Sequence, residues 1–136
     1  MLSKATLTGT IVGFIFLFFS GWIFYESLAT DFFSQHYVNM PSGISGEMNF
    51  IILGIIVESY LLSLIYGNWA KGNYNLQSGF KFGALLGLFV GLGINMVMLG
   101  TMELLDIQGT LVDAVWNLVY FGVAGCLNGW VFQKLG

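Results

Sequence analysis

The chain has 136 residues, 57% of them apolar and only 8% charged, with a net charge of −3 and a mean hydropathy of +0.82. A soluble domain carries roughly 25% charged residues, so these few charges cannot clothe a water-soluble surface. Length alone favours one compact domain. Four scattered lysines and no arginine give no basic patch for nucleic acid.

A helix of about 20 apolar residues crosses the ~30 Å hydrocarbon core of a bilayer. Four stretches qualify, at about Ala5–Ser27, Met48–Asn68, Phe82–Met102 and Leu111–Phe132. They leave no length for a separate soluble domain. The expectation is an all-α fold, a single four-transmembrane-helix bundle over residues 1–136.

The first span follows Met1-Leu2-Ser3-Lys4, and Ser27-Leu28-Ala29 mimics a leader cleavage site. Its apolar run exceeds the ~7–15 residues of a signal peptide, so it reads as a span. It is rich in phenylalanine, with Trp22 and Tyr25 placed as interfacial anchors near its end. In Leu28–Met40, the residues Ala29, Phe33, His36, Tyr37 and Met40 share one helical face. That segment either continues the first helix or forms a short helix on the membrane surface. Pro41, Gly43 and Gly46 then supply a turn.

The second span ends in Gly67-Asn68-Trp69-Ala70-Lys71-Gly72, with Tyr66 and Trp69 as the second aromatic anchor. Glu58 lies at its midpoint. An ionised carboxylate there costs about 2.5–3.5 kcal/mol, and intramembrane acids are functional leads by default. Protonation removes most of that cost, so a neutral side chain is expected at rest. Gly54, one turn earlier, clears space for a neighbouring helix.

The third span carries Gly79, Gly83, Gly87 and Gly91 four apart, with Asn95 continuing the row. The fourth carries Gly122, Gly125 and Gly129. Transmembrane helices associate by close backbone approach and polar contacts, so these are packing faces. The partner helix lies either in this chain or in another. The short link between the third and fourth spans makes them antiparallel neighbours.

Asn117 and Asn128 are eleven residues apart and face the same way, roughly 16 Å apart along the axis. With Glu58 and Asn95 they form a broken polar track if the faces converge. One reading is a proton or cation pathway with Glu58 as reversible carrier. The other is hydrogen-bond glue, worth about 0.6 kcal/mol per contact.

The charges are sorted. Lys4, Lys71, Lys81 and Lys134 fall at one end of the spans, and Glu26, Asp31, Glu47, Glu103, Asp106 and Asp113 fall at the other. The positive-inside rule then places both termini in the cytoplasm. Glu103, Asp106 and Asp113 read as an acidic outer rim, with Asp113 just before the first apolar turn of the fourth helix, where an acid favours a helix N-terminus.

No cofactor, metal or catalytic set emerges. His36 with Met40, Met48, Met96, Met98 and Met102 suggests a soft Cu(I) site, but methionine is an ordinary filler of apolar gaps. One histidine cannot supply two haem ligands within the chain, and the single Cys126 excludes an intrachain disulfide and zinc spacing. No nucleophile elbow or serine–histidine–acid set exists, so no enzyme is expected.

Gly21-Trp22-Ile23-Phe24-Tyr25, Gly67-Asn68-Trp69-Ala70, the glycine row running into Leu99-Gly100-Thr101, and Leu111-Val112-Asp113 together resemble a family of small bacterial four-helix inner-membrane proteins of unknown function. The resemblance implies the fold and the bacterial inner membrane, and no activity. The expected function is that of a non-enzymatic membrane protein, an oligomer or an accessory subunit of a larger membrane complex, packing through its glycine-lined faces in contact with lipid. The alternative is a proton- or cation-conducting bundle centred on Glu58.

Overall fold

A computed structural model describes residues 2–38, 48–102 and 104–136. Their elements are helical: α1 (Lys4–Ile23), α2 (Thr30–His36), α3 (Met48–Trp69), α4 (Leu76–Leu88), α5 (Asn95–Thr101) and α6 (Ile107–Leu135). A π-helical segment, Phe24–Leu28, prolongs α1, and a second, Phe89–Ile94, joins α4 to α5. The result is four rods, Lys4–Leu28, Met48–Trp69, Leu76–Thr101 and Ile107–Leu135, each long and apolar enough to cross a membrane. Between the first two rods, α2 is a separate short helix, set off where Ala29 leaves helical geometry at φ −115° and ψ 4°. The turn expected at Pro41, Gly43 and Gly46 lies outside the described residues, as do Met40, Glu47 and Glu103.

Capping explains where the rods begin. Ser3 Oγ accepts from the Thr6 amide at 3.0 Å and starts α1. Asn75 and Ser78 form a capping box, the Asn75 side chain accepting from the Ser78 amide at 2.8 Å, so α4 begins at Leu76 rather than Phe82. Asp106 Oδ1 accepts from the Gly109 amide at 2.8 Å, so α6 begins at Ile107 rather than Leu111. In both cases polar caps set the boundary before hydropathy rises. Between α3 and α4 the chain reverses through Lys71 (φ 50°) and Gly72 (φ 88°), both left-handed, a geometry glycine adopts without penalty and lysine does not.

The hub is α6. It packs along α4 on one side and α1 on the other, while α3 packs chiefly on α1 and touches α4 and α6 only slightly. On the α4–α6 seam the two backbones meet. A methyl group on Gly83 would run into the Phe121 carbonyl, on Gly87 into the Asn117 carbonyl, and on Gly79 into the Gly125 carbonyl. Gly125 meets the Gly79 carbonyl in turn, Gly91 sits against Asn117 and Ala114, Gly129 against the Asn75 carbonyl, and Gly122 against the Phe80 ring. The glycine-lined faces are therefore occupied by each other.

A second seam uses two glycines of α1. Gly9 lies against Ser63 and Asn128, and Gly13 against Ser59 and Asn128. Ser63 Oγ crosses the seam to donate to the Thr6 carbonyl at 3.0 Å. Leu17, Leu62, Tyr66, Phe82, Phe121, Ala124 and Phe132 fill the apolar core. Tyr66 is thus not an interfacial anchor: it is wholly buried, and its hydroxyl meets Ser78 Oγ at 2.7 Å. The burial of Phe82 and Phe132 around its ring favours a packed position over a wet one.

At the end opposite the lysines, α2 is tied to the start of α6. Tyr37 and Leu105 form an antiparallel bridge, the Val38 amide donates to the Leu104 carbonyl at 2.8 Å, and the Asp106 amide donates to the His36 carbonyl at 2.9 Å.

Candidate functional site

Three polar side chains, those of Tyr25, Asn95 and Asn117, meet at Asp113. This residue is not at the helix N-terminus. It lies almost two turns inside α6, because the Ile107–Thr110 turn extends the helix backwards from the apolar run. Tyr25 Oη donates to Asp113 Oδ1 at 2.5 Å. Asn95 Nδ2 donates to Oδ2 at 2.6 Å. Asn117 Nδ2 donates to Oδ2 at 3.1 Å and to the Asp113 backbone carbonyl at 2.8 Å. Hydrogen bonds to an ionised acceptor are roughly twice as strong as neutral ones, so three of them hold the carboxylate firmly.

Both π segments serve this group. Tyr25 belongs to the first, and Asn95 immediately follows the second. A π turn accommodates an extra residue and re-aims the side chains beyond it, and such turns inside α-helices are frequent at functional sites. Asp113 has donors but no cation beside it. All four lysines lie at the opposite ends of the rods, and among the described residues the one ion pair is His36 Nδ1 with Asp106 Oδ2 at 2.7 Å. The Gly109 amide, with His36, holds the Asp106 carboxyl below its usual range.

Glu58 is placed differently. It sits at the midpoint of α3 on an exposed surface, and no described residue offers it a hydrogen bond or an ion pair. Ser59 and Leu62 near it are buried and Ile55 packs against the core, so the acid lies on the flank of the packed side of α3, within electrostatic reach of Tyr120. Gly54, one turn earlier, has nothing within 4 Å of the position a side chain would occupy.

The polar track is accordingly divided. Asn95 and Asn117 meet at Asp113. Asn128 is buried against Gly9 and Gly13, donating to the Ala124 carbonyl at 3.1 Å with its oxygen unpartnered. Glu58 joins neither group. Of the aromatic anchors, Trp22, Trp69 and Tyr25 are all exposed, at 54%, 42% and 40%, and Tyr25 also donates to Asp113. Met98 lines a cavity beside Asp113, whereas Met48 lines a separate groove between α1 and α3.

The sequence placed Asp113 on a solvated rim and Tyr25 at the interface, and so missed the group they form. The signal present was Asp113 four residues before Asn117, a spacing that sets both on one helical face. Compared with models of protein families, with curated proteins and with solved structures, the chain matches none.

Proposed function

We propose that this chain is a non-enzymatic integral protein of a bacterial inner membrane, with both termini in the cytoplasm, that works as a subunit in an assembly of its own copies joined at Glu58. The observation that supports this is a carboxyl group at mid-span, exposed and with no hydrogen-bond or ion-pair partner among the described residues. In hydrocarbon an unsatisfied polar group costs several kcal/mol, and nothing in a lipid tail can accept or donate a hydrogen bond.

A second copy supplies what is missing. A protonated carboxyl carries both a donor and an acceptor, so it is complementary to itself. A twofold axis along the membrane normal brings Glu58 of one copy to Glu58 of the other at the same depth, in an isologous contact. Gly54 lets the backbones approach there, and Leu61 and Ile65, exposed at 43% and 46%, extend the same stripe of α3. The α4–α6 glycines are engaged within the chain and are not free for assembly.

Disulfide cross-linking in membrane vesicles tests this in a Cys126→Ser background. Leu61→Cys should give oxidised dimers, and adding Glu58→Leu should abolish them. Phe89→Cys, exposed at 67% on another rod, should give none. Cross-links at Leu61→Cys that persist with Glu58→Leu would contradict the assignment. Terminal tags protected from an external probe in intact cells would agree with the orientation, and labelled tags would reverse it.

A further inference from the structure

We propose that the cavity beside Asp113 is a binding site for a small organic ammonium group. The cavity encloses about 200 Å³ and is lined by Tyr25, Phe33, Tyr37, Asn95, Met98 and Asp113. The bridged residues Tyr37 and Leu105 both line it, at the end of the molecule opposite the lysines.

The lining selects the ligand class. Asp113 presents a carboxylate with three hydrogen-bond donors and, among the described residues, no counter-cation. A carboxylate offers about four lone-pair sites, so one remains for a cation. The rings of Tyr25 and Phe33 stand 5.7 Å apart at 37°, forming an aromatic wall, and Tyr37 adds a third ring. Aromatic faces around one acid are the recognition chemistry of alkylammonium groups. A bare divalent ion fits poorly. Calcium takes 6–8 oxygen ligands, and no cluster of three acids, histidines or cysteines occurs among the described residues. The volume falls below the ~300–1,000 Å³ of pockets for drug-sized ligands, which suits an ammonium head group. That head group belongs either to a free amine or to a lipid, and the chemistry is the same for both.

The test uses the full-length protein in phosphatidylglycerol nanodiscs, titrated calorimetrically with choline, with ethanolamine and with the neutral choline isostere 3,3-dimethylbutan-1-ol. At least one of the two ammonium compounds should saturate, with the alcohol about tenfold weaker or more. Asp113→Asn should weaken that ammonium compound at least about tenfold. Tyr37→Leu should weaken it about threefold, and Tyr37→Phe, which keeps the ring, should not. If Asp113→Asn fails to fold, the Tyr37 pair still decides. Nanodiscs containing phosphatidylcholine or phosphatidylethanolamine separate the sources: weaker apparent binding of the free compound there identifies a lipid head group as occupant, and unchanged binding identifies a free amine. Equal binding of the alcohol, wild-type affinity in the Tyr37→Leu variant, or saturation by neither ammonium compound would overturn the proposal.

Discussion

Asp113 and Glu58 are the same chemical group in two apolar rods, and they are provided for in opposite ways. Asp113 stands in α6, the rod packed against both α1 and α4; Glu58 stands in α3, which packs chiefly on α1. The first receives donors from two other rods and from its own helix. The second receives none from the described residues. An intramembrane acid is thus not one kind of signal. Its meaning depends on whether the helix that bears it sits at the hub of the packing or at its edge.

The largest expected contrast comes from removing each acid. Asp113→Leu strands the donors of Tyr25, Asn95 and Asn117, and an unsatisfied buried donor costs about 1–3 kcal/mol. Unfolding in mixed micelles should show a loss of about 3 kcal/mol or more. Glu58→Leu should change the stability of the single chain by less than about 0.5 kcal/mol, as for a surface site. Equal losses would erase the distinction between the two groups.

The glycines sharpen the same contrast. Gly83→Ala drives a methyl group into the Phe121 carbonyl, and overpacking of this kind costs about 1–3 kcal/mol. Gly54→Ala meets open space and should stabilise the isolated chain by up to about 1 kcal/mol through helix propensity. A smaller effect, about 1–2 kcal/mol, is expected for Tyr25→Phe, which removes one donor from Asp113 and leaves the ring.

The smallest effect is a pH dependence at the α2–α6 tie. The Asp106 carboxyl is held below its ordinary value by the Gly109 amide and by His36. A depressed acid stabilises the fold above its unfolded pKa, and that contribution is lost as pH falls through the folded value. Acidification below about pH 4 should therefore loosen α2, seen as faster amide exchange at Val38. The exchange should be flat in that range for Asp106→Asn.

Much of the fold was legible in the residues themselves. Apolar run length marks the four rods, and the four-residue glycine spacing marks a seam. What the sequence withheld was which surfaces meet. The helix caps at Asn75 and Asp106 lengthened two rods beyond their apolar runs, and that lengthening moved Asp113 from the rim into the helix. The π segments are invisible to a periodicity of 3.6, yet they carry Tyr25 and Asn95 to the acid. The glycines of α1 at positions 9 and 13 lie among phenylalanines and gave no obvious stripe, although they seat Asn128 and two serines. Glu58 was conspicuous from composition, but its orientation depended on Ser59, Leu62, Ser63 and Tyr66, which took the buried side of α3.

The most direct measurement is the number of copies per nanodisc for the wild-type chain and for Glu58→Leu, by native mass spectrometry. The account predicts two or more copies for the wild type, and a folded single copy for the variant. A wild-type chain that is single under these conditions, or a Glu58→Leu variant that keeps its partners, would contradict it.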